Sequence, residues 1–183
     1  MEESDRMHDH NTDKFIECIK TSHDICGPSN LVAIKVTALI RPSVLKKFNN
    51  LLKSIDDRSS LPSVFELINE KQKDEKTIES YLTTTKVSTT SMKLVQDELT
   101  EIHHLFMRFN RIAQACVEQK ISIMVDAEQT YFQTAINYLA TELQRYYNRN
   151  NNAYIYGTYQ CYLKVSIRFG FKFSNVLKIN RKH

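Results

Sequence analysis

The chain has 183 residues, of which 42% are apolar and only 3 are Gly and 3 Pro. This composition predicts one helix-rich globular domain and excludes a disordered chain. The net charge of +4 comes from residues 164–183, which hold six Lys or Arg and no acid, so the other residues carry 19 basic against 21 acidic side chains. We therefore expect no nucleic-acid partner for the body of the protein. No apolar run approaches the roughly 20 residues that span a bilayer, and the polar segment 1–12 resembles neither a secretory signal nor a transit peptide.

Cysteine and histidine spacing gives no sign of a metal centre. The chain has cysteines at Cys18, Cys26, Cys116 and Cys161. They form no CxxC pair, so we expect reduced thiols in a reducing compartment, with a disulfide as the less favoured alternative. The pairs His8–His10 and His103–His104 have no further ligands at metal spacing, so we expect these side chains to be solvated.

The first elements of the chain alternate between helix and strand. Apolar residues at helical spacing predict a helix over 13–21, and the sequence CGPSN at 26–30 ends it. Residues 31–39, LVAIKVTAL, are apolar at nearly every position and rich in β-branched residues, which predicts a parallel strand buried on both faces. A helix follows over 41–55, with Pro42 suited to its first position. Its predicted buried face is Val44, Leu45, Phe48, Leu51, Leu52 and Ile55.

A helical insert is predicted over 57–119, before the next strand. It consists of a helix over 62–82, a polar connection over 83–91 and a long helix from about Lys93 to Gln119. The predicted buried face of the long helix is Ile102, Leu105, Phe106, Phe109, Ile112, Ala113 and Cys116.

The second half of the chain repeats strand, helix and strand. ISIMV at 121–125 predicts a strand, NRNNN at 148–152 a turn, and AYIYGTY at 153–159 a third strand. The helix between them is predicted through Tyr131, Phe132, Ala135, Ile136, Leu139 and Leu143. Alternating strands and helices predict an α/β fold with a parallel sheet and helical crossovers. We expect three to four βα units of a (β/α) barrel.

Two opposite charges are predicted to meet at the ends of neighbouring strands. In barrels of this kind the chemistry lies at the carboxyl ends of the strands, which is where Asp126 follows the strand 121–125. Side-chain alternation over 31–39 directs Lys35 toward the barrel interior. A lysine there needs an anion, and Asp126 is the candidate; an edge strand with a solvent-facing Lys35 is the alternative.

Two classes of enzyme would use this pair of residues. A Schiff-base lyase would employ Lys35 as its nucleophile. An oxidoreductase would use Lys35 to bind a substrate carboxylate, with Asp126 near a flavin. The residues alone leave both classes open. Glu128 is predicted in the first turn of a helix, where the backbone dipole by itself favours a carboxylate, so we assign it no catalytic role.

Three segments resemble signatures of eukaryotic proline dehydrogenase, in that family's order. They are VAIKVTALIRP at 32–42, IMVDAEQTYFQTAI at 123–136 and TYQCYLK at 158–164. The resemblance implies an α/β fold that is part of a (β/α)8 barrel, and a flavoenzyme that oxidises L-proline to 1-pyrroline-5-carboxylate, with FAD as cofactor. It also implies a quinone electron acceptor and peripheral association with the inner mitochondrial membrane, on its matrix side.

The same resemblance implies roles for five residues. Lys35 corresponds to the lysine that pairs with the proline carboxylate, Asp126 to the active-site aspartate, and Ala127 to a backbone contact with the flavin. Gly157 stands where the family has an Asn or Gln whose amide contacts the flavin ring. Gln160 is the nearest amide in sequence and completes the predicted cofactor-binding set.

The resemblance ends after residue 164. We expect a polar segment at 1–12, a partial barrel domain over 13–164, and a basic aromatic tail over 165–183 in which strict alternation predicts a strand. The alternative interpretation is a catalytically incomplete fragment or truncated isoform that holds no FAD, has no activity of its own and self-associates through open sheet edges. Binding of membranes or nucleic acid by the tail is a further, less favoured hypothesis.

Overall fold

The computed structural model describes residues 2–54, 64, 65, 68 and 94–162. In chain order these form helix α1 (Glu2–Cys26), strand β1 (Leu31–Ile34), a 3-10 turn (Val36–Ala38), helix α2 (Pro42–Lys53), helix α3 (Gln96–Gln119), strand β2 (Ser122–Val125), helix α4 (Gln133–Tyr147) and strand β3 (Ile155–Gly157). The predictions for 62–82, 83–91 and 165–183 lie outside the described residues, except that Val64, Phe65 and Ile68 are helical and buried.

The strands form one parallel sheet in the order β1-β2-β3. Ile34 pairs with Val125, and Val125 pairs in turn with Gly157. Parallel neighbours need a crossover, which α2 and α3 provide between β1 and β2, and α4 provides between β2 and β3. The predicted α/β fold with a parallel sheet is confirmed. The strands that the structure describes do not close into a barrel, so the (β/α)8 barrel stays a prediction.

Within the residues that the structure describes, helices cover one face of this sheet. Ile34, Val125 and Ile155 are completely buried on the covered face, whereas their neighbours Ala33 and Tyr156 are exposed on the other face. Successive side chains in a strand point to opposite faces, and this division follows that alternation. The sheet therefore has a covered face, which forms the core, and an uncovered face.

The core is built where the helices meet over the covered face. Phe48 of α2 packs edge to face against Phe106 of α3, with ring centroids 6.2 Å apart, and against Tyr138 of α4, at 6.1 Å. All seven positions predicted for the buried face of α3 are buried, as are the described positions predicted for α2. Apolar periodicity thus identified both faces correctly.

Strand β1 ends at Ile34, although the sequence predicted a strand over 31–39. The N–H groups of Ala38 and Leu39 donate to the carbonyl oxygens of Lys35 and Val36 and form the 3-10 turn. Val36 and Leu39 are buried in the core, so the apolar run continues because of burial and not because of strand pairing. Strand β3 is likewise shorter than the predicted 153–159.

Helix α1 extends over Glu2–Cys26, well beyond the predicted 13–21. Its N-terminal half packs on α3 through polar contacts, since Asp5 and Asp9 both bind Arg108. Apolar periodicity cannot detect an interface made of charges, and this explains why the predicted bounds were wrong. The division into a segment 1–12 and a domain 13–164 stays a prediction.

Two histidines predicted to be solvated are buried. His8 is 2% exposed and His103 is 7% exposed, so the prediction is wrong for both. His104, by contrast, is partly exposed and contacts the Asp5 carboxylate through Nδ1 at 3.5 Å. No cluster of three or more His, Cys, Asp or Glu that could hold a metal ion occurs in the part of the chain that the structure describes.

Candidate active site

Lys35 and Asp126 lie at the carboxyl ends of two paired strands. The last register row of the sheet is Ile34–Val125–Gly157, and each of the two residues comes one position beyond it. The Asp126 N–H donates to the Ile34 carbonyl oxygen at 2.9 Å, which continues the pairing to the strand end. The neighbouring strand ends that the sequence predicted for this pair are therefore observed.

The first row beyond the sheet has a third member, Thr158. Its N–H donates to the Val125 carbonyl oxygen at 3.1 Å, so Thr158 stands beside Asp126 as Lys35 does on the other side. The Thr158 hydroxyl is buried and has no hydrogen-bond partner among the described residues. Sequence reasoning missed this residue, although its position directly after Gly157 in the third strand signature was the available signal.

The uncovered face leads up to this row. Ala33, Met124 and Tyr156 share one register row across the three strands, and Ala33 and Tyr156 are exposed. Lys35 is exposed as well, and it follows Ala33 at the spacing that keeps a side chain on the same face. The carboxyl edge thus combines a mostly apolar surface with charged groups at its end.

Lys35 and Asp126 do not form an ion pair with each other, nor with any other residue in the described ranges 2–54 and 94–162. The sequence predicted Asp126 as the partner of Lys35, with a solvent-facing Lys35 on an edge strand as the alternative. Lys35 is exposed and β1 is an edge strand of the described sheet, which agrees with the alternative. The two charges instead stand next to each other without neutralising contacts. Lys35 is exposed and Asp126 is half-buried, and no other described residue neutralises either charge.

Glu128 is not in a helix, because α4 begins only at Gln133. The prediction that Glu128 lies in the first helical turn is wrong. Its carboxylate accepts a hydrogen bond from the Thr37 N–H at 3.1 Å and another from the Thr37 hydroxyl at 2.5 Å. The Glu128 carbonyl oxygen accepts from Gln160 Nε2 at 3.0 Å, and the Glu128 N–H donates to Gln133 Oε1 at 3.2 Å. Glu128 thus connects the loops that follow all three strands.

The predicted cofactor-binding residues fall into two groups. Ala127 lies between Asp126 and Glu128 on the loop after β2, and Gln160 is bound to that loop through Glu128. The Gln160 Oε1 atom is buried and has no partner among the described residues. Gly157, however, faces α4, because a Cβ atom added there would lie 3.6 Å from Ala140 Cβ. An amide side chain at this position would point away from the uncovered face.

Comparison with known proteins identifies the family. The family model for proline dehydrogenase matches residues 45–169, which is more than half of the chain. The chain belongs to the proline dehydrogenase family. The matched range contains Asp126, Ala127, Gly157 and Gln160, and it begins after Lys35.

Curated proline dehydrogenases are similar to this chain over part of their length. The mitochondrial proline dehydrogenase 1 of Dictyostelium discoideum is 34% identical over 145 residues, 75% of this chain and 23% of the relative. A probable mitochondrial proline dehydrogenase of Schizosaccharomyces pombe is 30% identical over 139 residues, 76% of this chain and 24% of the relative. The human mitochondrial proline dehydrogenase 1 is 40% identical over 72 residues, 39% of this chain and 12% of the relative. The chain therefore spans about a quarter of the first two relatives.

No solved structure matches the chain significantly. None of the helices in the described part of the chain is long and apolar enough to cross a membrane.

Proposed function

We propose that this protein takes part in the FAD-dependent oxidation of L-proline to 1-pyrroline-5-carboxylate, and that the carboxyl edge of the sheet is its substrate and flavin site. The observation that carries the proposal is the adjacent pair of charges, Lys35 and Asp126, at paired strand ends on the uncovered face, neither of them paired with another described residue. L-proline is a zwitterion, so a site with one free cation and one free anion is complementary to it.

Each charge has a distinct role toward the substrate. The Lys35 ammonium binds the proline carboxylate, and a hydrogen bond of this charged type contributes about 1.5–3 kcal/mol. Asp126 directly follows the next strand, and its carboxylate binds the secondary ammonium group or takes up its proton. Oxidation breaks the C5–H bond and the N–H bond and forms the C=N bond of the product. FAD, when bound, supplies the acceptor for the hydride that leaves C5 and passes the electrons to a quinone.

The residues of this edge fit a flavin ring. Ala33, Met124 and Tyr156 provide a largely apolar floor with a small residue at one end. The buried, unpartnered atoms Thr158 Oγ1 and Gln160 Oε1 provide polar groups at its rim. An orphaned buried polar atom is costly unless a ligand or water satisfies it. Ala127 contributes its backbone to the same site, whereas Gly157 contributes no side chain, so the Thr158 hydroxyl is the polar group that β3 offers.

Exposure of Lys35 favours the oxidoreductase over the Schiff-base lyase. A Schiff-base lysine is activated by desolvation in an apolar pocket or by a neighbouring cation. Lys35 is exposed and follows an open sheet face, which suits charge recognition better than nucleophilic attack.

The cellular setting is proposed from the relatives. Those from Dictyostelium discoideum, Schizosaccharomyces pombe and human are named mitochondrial, and we extend a mitochondrial location, with peripheral association at the matrix side of the inner membrane, to this protein. We also propose that it self-associates. Strands β1 and β3 each have one unpaired edge within the described sheet, and such edges template pairing with another chain. Light scattering on the purified chain tests this, and a monomer at all concentrations would contradict it.

Kinetics of single variants test the substrate roles. Lys35→Met should raise the KM for L-proline about tenfold or more, because the substrate carboxylate loses a charged partner. Asp126→Ala should lower turnover more than it lowers FAD content. The assay is proline-dependent reduction of a dye acceptor by the purified protein with FAD supplied. The exposed residues Lys20 and Asp24 give matched controls, Lys20→Met and Asp24→Ala, which should behave as wild type. Unchanged kinetics in both site variants would reject these roles.

A further inference from the structure

Three residues form a second row at the carboxyl edge of the sheet. Thr37, Glu128 and Gln160 each come three positions after the last register row, Ile34–Val125–Gly157. The first row, one position after the sheet, is Lys35–Asp126–Thr158. The second row is held together by hydrogen bonds, whereas the side chains of the first row are free of partners among the described residues.

Glu128 lies at the centre of this second row and connects its neighbours in different ways. Its side chain accepts two hydrogen bonds from Thr37 on the loop after β1, and its backbone carbonyl oxygen accepts one from Gln160 on the loop after β3. Its own N–H donates to the side-chain oxygen of Gln133 at the start of α4. A carboxylate that accepts charge-assisted hydrogen bonds from both N–H and O–H forms a strong and directional contact.

We infer that Glu128 is a positioning residue, which sets the separation and orientation of the loops that carry Lys35, Asp126 and Ala127. Lys35 precedes Thr37, which is hydrogen-bonded to Glu128, by two residues, and Asp126 precedes Glu128 by two residues. The backbone between each pair is short, so the Thr37–Glu128 contact limits how far the two charges move apart. A site that must hold both ends of a small zwitterion needs this constraint, because sub-ångström displacement weakens both contacts.

Conservative variants separate positioning from general stability. Glu128→Ala removes both acceptors for Thr37. Glu128→Gln keeps one carbonyl acceptor for the Thr37 N–H, and its amide is able to donate to the Thr37 hydroxyl, so it should restore much of the contact. Thr37→Val removes the hydroxyl alone. Glu118→Ala is the matched control, because Glu118 is an exposed residue of α3.

The experiment uses the purified chain and two measurements, residue-resolved amide hydrogen exchange and the Kd for FAD. Glu128→Ala should accelerate exchange of the Thr37 amide about tenfold and raise the Kd for FAD about fivefold or more. The faster exchange should be confined to residues 35–38 and 126–128, and the α3 amides should exchange at wild-type rates. Glu128→Gln should recover most of the affinity for FAD. The double variant Glu128→Ala/Thr37→Val should lose less affinity for FAD than the product of the two single effects.

The inference rests on the proposed function for its ligand, and the two measurements distinguish their failures. If the wild-type chain binds FAD and Glu128→Ala binds it equally well, the positioning role is overturned. If wild type binds no FAD, the proposed function fails for this chain, and exchange alone decides. Amide exchange that Glu128→Ala accelerates only in the two loops then supports the positioning role of Glu128. Wild-type exchange rates at Thr37 and Asp126 overturn it.

Discussion

Replacement of Arg108 by methionine should destabilise the protein more than any surface change in the same helix. The Arg108 side chain is only 3% exposed. Its Nη1 donates to the Leu39 carbonyl oxygen at 3.0 Å, its Nη2 to Asp5 Oδ1 at 3.0 Å and its Nε to Asp9 Oδ1 at 2.8 Å. Arg108 thereby joins α1 and α3 to the turn that follows Lys35.

The magnitude follows from what each partner loses. The buried Leu39 carbonyl would lose its charged donor, which costs about 1–3 kcal/mol. The Asp5 side chain is 23% exposed and would recover only part of its hydration, whereas Asp9 is 56% exposed and would recover most of it. We expect the free energy of unfolding to fall by about 3 kcal/mol in total, at the low end of what breaking a buried ion pair costs. For a chain of this size that corresponds to a Tm lower by about 6–12 °C.

Thermal unfolding followed by circular dichroism measures this shift, with Arg111→Met as the matched control. Arg111 lies one turn further along α3, but it is 48% exposed and pairs with Asp13, which is 62% exposed. An exposed pair of this kind contributes about 0–1 kcal/mol, so the control should lower the Tm only slightly. Equal shifts in the two variants would refute the reasoning that burial makes the Arg108 contacts stabilising.

Acid titration gives a second measure of the Arg108 cluster. Burial alone would raise the pKa of Asp5, but hydrogen bonds from Arg108 and attraction to His104 outweigh it and hold the pKa below its usual value. The folded state therefore favours the ionised form, and this contribution is complete above about pH 4. It is lost as the pH falls through the lowered pKa. Arg108→Met should reduce this acid dependence.

Three further predictions concern single residues. Burial lowers the pKa of His8; the charge of Arg108 adds to this effect, and the charges of Glu101, Asp5 and Asp9 oppose it. The free energy of unfolding should therefore fall as the pH drops below about 6.5. Measured by urea denaturation at several pH values, the free energy of unfolding of His8→Gln should depend less on pH. Asn49 is fully buried, and its Oδ1 accepts hydrogen bonds from the N–H groups of Thr134 and Ala135 at 2.9 and 3.2 Å. Asn49→Ala should therefore lower the free energy of unfolding by about 2 kcal/mol, and a urea midpoint equal to that of the wild type would contradict this. Burial raises the pKa of Cys116 to about 12, whereas the other three cysteines are exposed, so a thiol reagent should modify those three quickly and Cys116 only after unfolding. A fourth fast equivalent in the native chain would contradict the burial.

The sequence predicted best those elements whose contacts are apolar and one-sided. The seven buried positions of α3 follow from periodicity, because that helix packs a single apolar surface on the core. The apolar run 31–39 located β1, but the predicted burial on both of its faces is wrong, because Leu31, Ala33 and Lys35 are exposed. The length of α1 did not follow, because its first half is held by Arg108, which lies about a hundred residues away in the chain. Polar partners at such separation leave no local pattern.

The start of α4 and the role of Glu128 show the same limit at the candidate site. The N-cap residue Phe132 offers no side-chain acceptor, and Asn49 of α2 supplies it from another element. The local signal for the helix start is therefore missing, and Glu128 was predicted inside the helix. Its bond to Thr37, which is 91 residues away in the chain, depends on strand register. The position of Asp126 could be predicted because it directly follows a recognisable strand, whereas Lys35 was predicted inside the strand 31–39 and lies beside Asp126 because β1 ends at Ile34.

The most direct test of the central claim is anaerobic titration of the FAD-supplied protein with L-proline, followed by the flavin absorbance. If the carboxyl edge binds L-proline through Lys35 and delivers its hydride to FAD, proline should bleach the oxidised flavin band, and Lys35→Met should need about tenfold more proline for half of the change. Failure of proline to bleach the band, or an identical titration for wild type and Lys35→Met, would contradict the account.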